Sequence, residues 1–220
     1  MPGAVAILPI KRFEAAKQRL AHGVPAPARR ELAAAMAADV LEALGQVGGL
    51  DAIVVVTGEP AVAELAEAAG AELVRDERDA GQSAAALRGL EHPTARIADR
   101  ALLVPGDCPA LEPAEIELLL AGAAPAPSVA VIPDRHETGT NGLLLSPPGA
   151  IAPAFGPGSF ARHVEAGRTV GAAVHVERLP SLALDVDTPG DLAALRDALA
   201  ALPRAAHRTR AALERLTAAG

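Results

Sequence analysis

Aromatic side chains are nearly missing from this chain of 220 residues, which has three Phe, no Trp and no Tyr. Base stacking on aromatic platforms is therefore unavailable, which argues against a binder of RNA or single strands. Net positive charge is missing too. The formal balance is −7, the wrong sign for gripping a long polyanion. The one cysteine, Cys108, permits neither a disulfide framework nor a thiolate zinc site. The six His show no metal-ligand spacing. No uncharged apolar run reaches the roughly 18 residues of a membrane span. The N-terminus lacks the charged, apolar and cleavage regions of a signal peptide. A soluble cytoplasmic protein, with no nucleic-acid or membrane partner, is expected.

What is present is an apolar half, 50% of residues, enough for one full core. That core must be built from Ala, Leu, Val and Ile. The runs AVAILPI (4–10), AIVVV (52–56), AELV (71–74) and RALLVPGD (100–107) read as buried strands. Between them ARRELAAAMAADVLEALGQ (28–46), PAVAELAEAAG (60–70) and SAAALRGL (83–90) read as helices. This alternation specifies right-handed βαβ units and a parallel sheet. Helix PAEIELLLAG (113–122) follows, then strands SVAVIP (128–133) and GLLLS (142–146), and an alternating edge strand in AAVHVERLP (172–180). The strand-rich second half makes the sheet mixed. TPGDLAALRDALAAL (188–202) closes a single domain over 1–202. Residues 203–220 read as an appended helix that packs on the body, mediates association or frays.

In open α/β sheets, ligands bind beyond the carboxyl ends of parallel strands. Four segments lie there. In PIKRFEAAKQRL (9–20), Lys11, Lys17 and Arg19 cluster at what reads as a helix start, a polyphosphate cradle or a solvated basic face. Residues 1–30 carry a net +5, leaving −12 for the rest. Such a local patch suits a small anion. In LLVPGDCPAL (102–111), Asp107 ends a strand and offers a carboxylate to a hard cation such as Mg²⁺, unless it caps the next helix. Cys108 beside it reads as a small filler. In LALDVDTPGDLAAL (182–195), Asp185 and Asp187 alternate with Val186 and point to one side. They need a cation between them, unless Asp187 or Thr188 is only a helix cap. The fourth segment pairs PDRHETGTNGLLL (133–145), longer than a hairpin turn requires, with FGPGSFARHVEAG (155–167). Here Gly156, Gly158 and Ser159 open a helix as an anion-type turn or a plain N-cap. His136, His163 and His175 read as surface or structural residues.

DRHETGTNGLLL, FGPGSFARH and LALDVDTPGDL together resemble the guanylyltransferases of coenzyme F-420 biosynthesis, over roughly residues 4–200. The resemblance implies a three-layer Rossmann-like fold of the nucleotide-diphospho-sugar transferase type, with a mostly parallel, mixed central sheet. It implies transfer of GMP from GTP to phosphoenolpyruvate or 2-phospho-L-lactate, with release of pyrophosphate. The Ala-, Arg- and Gly-rich composition suggests a GC-rich bacterium, and for the bacterial members of the family the resemblance implies phosphoenolpyruvate. By resemblance, Thr140, Gly156 and Ser159 contact the acceptor, and Pro9, Lys11, Lys17, Gly81 and Ser83 the nucleotide. Lys11, Lys17 and Arg19 would neutralise the departing pyrophosphate, and Asp107 with Asp185 or Asp187 would hold Mg²⁺. Gly81-Gln82-Ser83 stands where the family pattern has Gly-Leu-Asn. The implied assembly is a monomer or homodimer, its product open to hand-over to the pathway's next enzyme. The competing classes are a nucleotidyltransferase for molybdopterin or a sugar phosphate, whose first loop should be Gly-rich, and a non-catalytic nucleotide-binding module.

Overall fold

The computed structural model describes residues 3–13, 17–21, 23–202 and 205–218. Its strands are β1 (Ala4–Ile10), β2 (Leu50–Thr57), β3 (Glu72–Arg75), β4 (Arg100–Leu103), β5 (Ser128–Pro133), β6 (Thr140–Ser146) and β7 (Ala173–Val176). They form one sheet in the order β3-β2-β1-β4-β6-β5-β7. The pairs β1–β2, β1–β4, β2–β3 and β5–β7 are parallel, while β6 runs antiparallel to both β4 and β5. The sheet is therefore mixed and mostly parallel. Strand order reverses at β1, which has β2 on one side and β4 on the other, so a crevice opens at their carboxyl ends.

The helices are α1 (Ala26–Gly45), α2 (Pro60–Ala68), α3 (Gln82–Leu90), α4 (Pro93–Ile97), α5 (Pro113–Ala121), α6 (Ser159–Thr169), α7 (Pro189–Ala201) and α8 (His207–Ala218). Side-chain alternation along β1 sorts them into two layers. Ala4, Ala6, Leu8 and Ile10 face α1, α2 and α5. Val5 and Ile7 face α3 and α4, and Val129 and Val131 of β5 face the same way, under α6. A third apolar cluster joins Leu32 and Met36 of α1, Leu195 of α7 and Leu213 of α8. Of the three fates open to the C-terminal segment, α8 takes packing on the body. The expected boundary at residue 203 lies outside the described residues.

Three expectations need correction. No α-helix begins among the described residues of the loop that carries Lys11, Lys17 and Arg19, which take 3-10 geometry at Phe13 and over Gln18–Leu20; α1 starts at Ala26. No α-helix dipole serves the described part of the loop. Thr140 is the first residue of β6 rather than a loop residue, because the β5–β6 pairing runs on past a bulge to Pro133 and Thr140. Asp134 makes that early start possible. Its carboxylate accepts the amides of His136, Thr138 and Gly139 at 3.0, 2.9 and 2.8 Å, closing the turn by itself. Finally, α4 was unread, since five residues are too few to show a helical period.

Helix α3 sits close on the sheet through Gly89. A Cβ there would lie 2.4 Å from Ile7 Cγ2 and 3.1 Å from Val56 Cγ2, both stiff, buried, β-branched side chains. Gly89→Ala should therefore destabilise the protein by about 1–3 kcal/mol, despite the higher helix propensity of Ala. Urea unfolding tests this; an unchanged or raised midpoint would show that α3 has room to spare.

Candidate active site

A cleft of about 590 Å³ opens at the carboxyl ends of β1, β4 and β5. Pro9, Lys11, Lys17, Arg19, Asp107, Thr140, Gly156, Ser159, Asp185 and Asp187 all line it. Four segments far apart in sequence thus meet at one place. Gly81 and Ser83 do not line it; Gln82 between them does. The Ser83 hydroxyl donates instead to the Phe155 carbonyl at 3.5 Å.

The acids are gathered by backbone and by charge. Val186 N–H donates to the Asp107 carbonyl, which ties the two acidic segments together. Val186 is fully buried, so its neighbours Asp185 and Asp187 turn outward into the cleft. The Lys17 ammonium lies 2.5 Å from Asp107 Oδ2 and 3.1 Å from Asp187 Oδ1. Burial would lower the Lys17 pKa, but these two carboxylates more than offset it and raise it above the ordinary lysine value. Lys17 is therefore a fixed cation. Arg19 is far more exposed and stands 3.8 Å from Asp187. Asp185 is held by Asn141 Nδ2 at 3.2 Å, and the same nitrogen donates to the Leu182 carbonyl at 2.9 Å. Burial, and then the charge of Asp107, raise the Asp185 carboxyl.

Neither acid suspected of capping does so. Helix α5 starts after Glu112 without a side-chain cap, and α7 is capped by Thr188 in a capping box with Asp191. Asp191 also accepts the Asp187 amide and pairs with Arg135, so the hairpin before β6 is bolted to the acidic segment. Burial would raise the Asp191 carboxyl; hydrogen bonds from Thr188 and Asp187, with the Arg135 charge, hold it below the usual range. Cys108 is a filler under this site: fully buried, with burial pushing its thiol well up.

Asp107 and Asp187 suit a hard cation, because both already turn an oxygen toward one ammonium. The excess negative charge felt by Asp185 points the same way. Among the described residues, the trio whose ligand atoms lie within 4.8 Å of one another is a different one, Asp39, Glu42 and His207. That trio is already taken, since Asp39 accepts the Arg208 and Thr209 amides at the start of α8 and Arg208 pairs with Glu42.

The bulge at the start of β6 sends the side chains of Thr140 and Asn141 to opposite faces. Asn141 turns to the acids. Thr140 turns to α6, where its Oγ1 lies 2.9 Å from His163 Nδ1. Ser159 makes no cap bond; the residue before it, Gly158, has the left-handed φ of 72° that opens α6. The Arg162 guanidinium is not an anion clamp, because it donates to the carbonyls of Pro157 and Ala154 at 2.5 and 2.8 Å. Sequence reasoning missed Asn141, Gln82 and Asp191, and read His163 only as surface or structural. Asn141 had a signal in its place beside Thr140 in the motif, and Asp191 in the Thr-x-x-Asp spacing of a capping box.

His163 is fully buried, and burial, then the Arg162 charge, lower its pKa to about 4. An unfolded His titrates near 6.5. Between pH 6.5 and about 4 the unfolded chain binds a proton that the folded one refuses. Stability should therefore fall with acidification across that window, by up to about 3 kcal/mol, and this contribution should level off below it. Unfolding free energies of wild type and His163→Asn against pH check this; parallel curves would contradict it.

The family model of CofC-like guanylyl transferases matches residues 4–196. A phosphoenolpyruvate guanylyltransferase of Conexibacter woesei is 46% identical over 212 residues, 96% of this chain and 95% of that protein. One of Sphaerobacter thermophilus is 39% identical over 188 residues, 86% of this chain and 90% of that protein. Among solved structures, a protein from Desulfovibrio desulfuricans G20 assigned to the nucleotide-diphospho-sugar transferases superposes with a TM-score of 0.76 at 17% identity, covering 99% of this chain and 96% of its own. CMP:2-keto-3-deoxy-manno-octonic acid synthetase, complexed with CTP, gives 0.61 at 18% identity, covering 90% of this chain and 98% of its own. These two likenesses show the fold. The chain is a nucleotidyltransferase that belongs to the CofC-like guanylyl transferase family.

Proposed function

We propose that this enzyme transfers GMP from GTP to phosphoenolpyruvate and releases pyrophosphate, within coenzyme F-420 biosynthesis. One observation carries the reading. A single cleft holds a fixed cation among three acids and, on its α6 side, the neutral donors Thr140, Gly156 and Ser159. The names of the relatives over nearly the whole chain support it.

The acceptor's phosphate monoester is largely dianionic at neutral pH. One of its oxygens attacks the α-phosphorus of GTP; the bond from that phosphorus to the bridging oxygen breaks, and pyrophosphate leaves with the electron pair. No base or covalent residue is needed. Among the described residues, Cys108 is buried and His163 is engaged on both nitrogens, so neither serves as nucleophile or base. The chain's contribution is positioning and charge. Asp107 and Asp187 would hold Mg²⁺, with Asp185 beside them, and the metal when bound would offset charge on the α-phosphate. Lys17 keeps the acids together in the meantime. Lys11 and Arg19, whose heads are more exposed, face the β- and γ-phosphates.

Mass spectrometry of a reaction offered GTP, Mg²⁺, phosphoenolpyruvate and 2-phospho-L-lactate together tests the reading. The expected product is guanylylated phosphoenolpyruvate. Product from 2-phospho-L-lactate alone would reassign the acceptor, and no product from either would remove the reading. Asp107→Asn should lose roughly two decades of turnover with its melting temperature retained; near-normal turnover at saturating Mg²⁺ would remove Asp107 from the metal site. Lys11→Ala and Arg19→Ala should weaken binding of GTP more than of GMP. Equal losses for the two nucleotides would place these cations away from the leaving group.

A further inference from the structure

The Thr140 hydroxyl has one proton to donate and two lone pairs with which to accept. Its neighbour decides where that proton is not used. Ala154 N–H donates to His163 Nε2 at 2.8 Å. A ring nitrogen that accepts a hydrogen bond carries no proton. The ring is fully buried and neutral, so its one proton sits on Nδ1. That N–H points at Thr140 Oγ1, 2.9 Å away. The threonine oxygen is thereby an acceptor inside the protein, and its own proton is left to point elsewhere. Thr140 lines the cleft.

We propose that His163 is a positioning residue that keeps the Thr140 hydroxyl proton free for donation to an anionic oxygen of the acceptor. The proposal rests on the reading of Thr140 as an acceptor contact given above. It adds a specificity element: with one lone pair taken by His163 and the proton left free, the hydroxyl is biased toward phosphate or carboxylate oxygens, which only accept.

The surroundings hold the ring in this orientation. Phe155 meets the imidazole edge-on, with ring centres 5.2 Å apart and planes at 72°. Phe155 belongs to the same turn as Gly156, and Arg162 braces that turn through the Ala154 and Pro157 carbonyls. One turn thus supplies both the amide that sets the tautomer and a glycine of the cleft wall. The low pKa of His163, about 4, agrees with an imidazole that stays neutral at working pH. The β-branch of Thr140 restricts its χ1, so the hydroxyl has little freedom beyond the rotation His163 removes.

Two measurements on the full-length protein test this. A two-bond ¹H–¹⁵N spectrum of the imidazoles, with His163 assigned by its loss in His163→Asn, should show the Nδ1–H tautomer, unchanged from pH 8 to pH 5. The Nε2–H tautomer, or a titration near pH 6.5, would overturn the proposal. The second is a double-mutant cycle on the Michaelis constant for phosphoenolpyruvate at saturating GTP. Thr140→Val should raise it roughly 10- to 100-fold, and His163→Leu by a similar factor, with GTP affinity held. The double variant should be no worse than Thr140→Val alone. His163→Asn, whose amide can stand in for the Nδ1–H, should recover most of the loss. Additive losses, or an Asn variant as poor as the Leu variant while both melt near wild type, would reduce His163 to a packing role. A wild-type enzyme inert to phosphoenolpyruvate would overturn the assigned reaction instead, and the tautomer spectrum would then decide this proposal alone.

Discussion

The Lys17 ammonium between the carboxylates of Asp107 and Asp187 is the contact on which the cleft depends. Carboxylates brought together repel, and each would rather take a proton than share a partly buried space with another. Asp185 shows the tendency, its carboxyl raised by burial and by Asp107. The lysine offsets the repulsion between Asp107 and Asp187, and the Asn141 amide holds Asp185. Breaking a buried pair by removing one partner costs about 3–5 kcal/mol, chiefly through the charge left behind; here the exposed flank of Asp187 reduces that figure. The arrangement suits an enzyme whose substrate brings its own negative charge.

The rest of the site is placed by two simple geometric facts. The first is the reversal of strand order at β1, which puts the ends of β1 and β4 side by side and opens a crevice there. The second is the bulge at the start of β6, where Ile132 pairs with Gly142 but Pro133 with Thr140. Asn141 is the extra residue at that bulge, so Thr140 and Asn141 turn to opposite faces and divide the cleft. Asn141 serves the acids, while Thr140 serves the α6 side. Had the strand begun later, as the turn residues of HETGTNG suggest, this division would not be enforced. Asp134 secures it by closing the loop early, and Arg135 with Asp191 ties that loop to the acidic segment.

Much of this was legible in the residues themselves. Apolar runs of four to seven residues, with proline-started helices between them, specified the order of strands and helices, because burial on both faces leaves no other pattern. The Asp-Val-Asp alternation announced two carboxylates on one side, and the buried Val186 between them shows why it had to be so. Motif resemblance supplied Thr140, Gly156 and Ser159, which no periodicity would have singled out.

Other features needed the folded chain. Lys17 reads in sequence as one of several cations in a basic loop; only the fold brings it, across 90 and 170 residues, onto Asp107 and Asp187. Asn141 reads as a turn residue until a strand turns it toward Asp185. His163 reads as a surface or structural histidine, and its role depends on a backbone amide nine residues away and a hydroxyl 23 residues away. A sequence shows what a residue is and how its near neighbours repeat. Which proton a side chain keeps, and which charge it faces, are properties of contacts between distant segments, so the tertiary structure decided them.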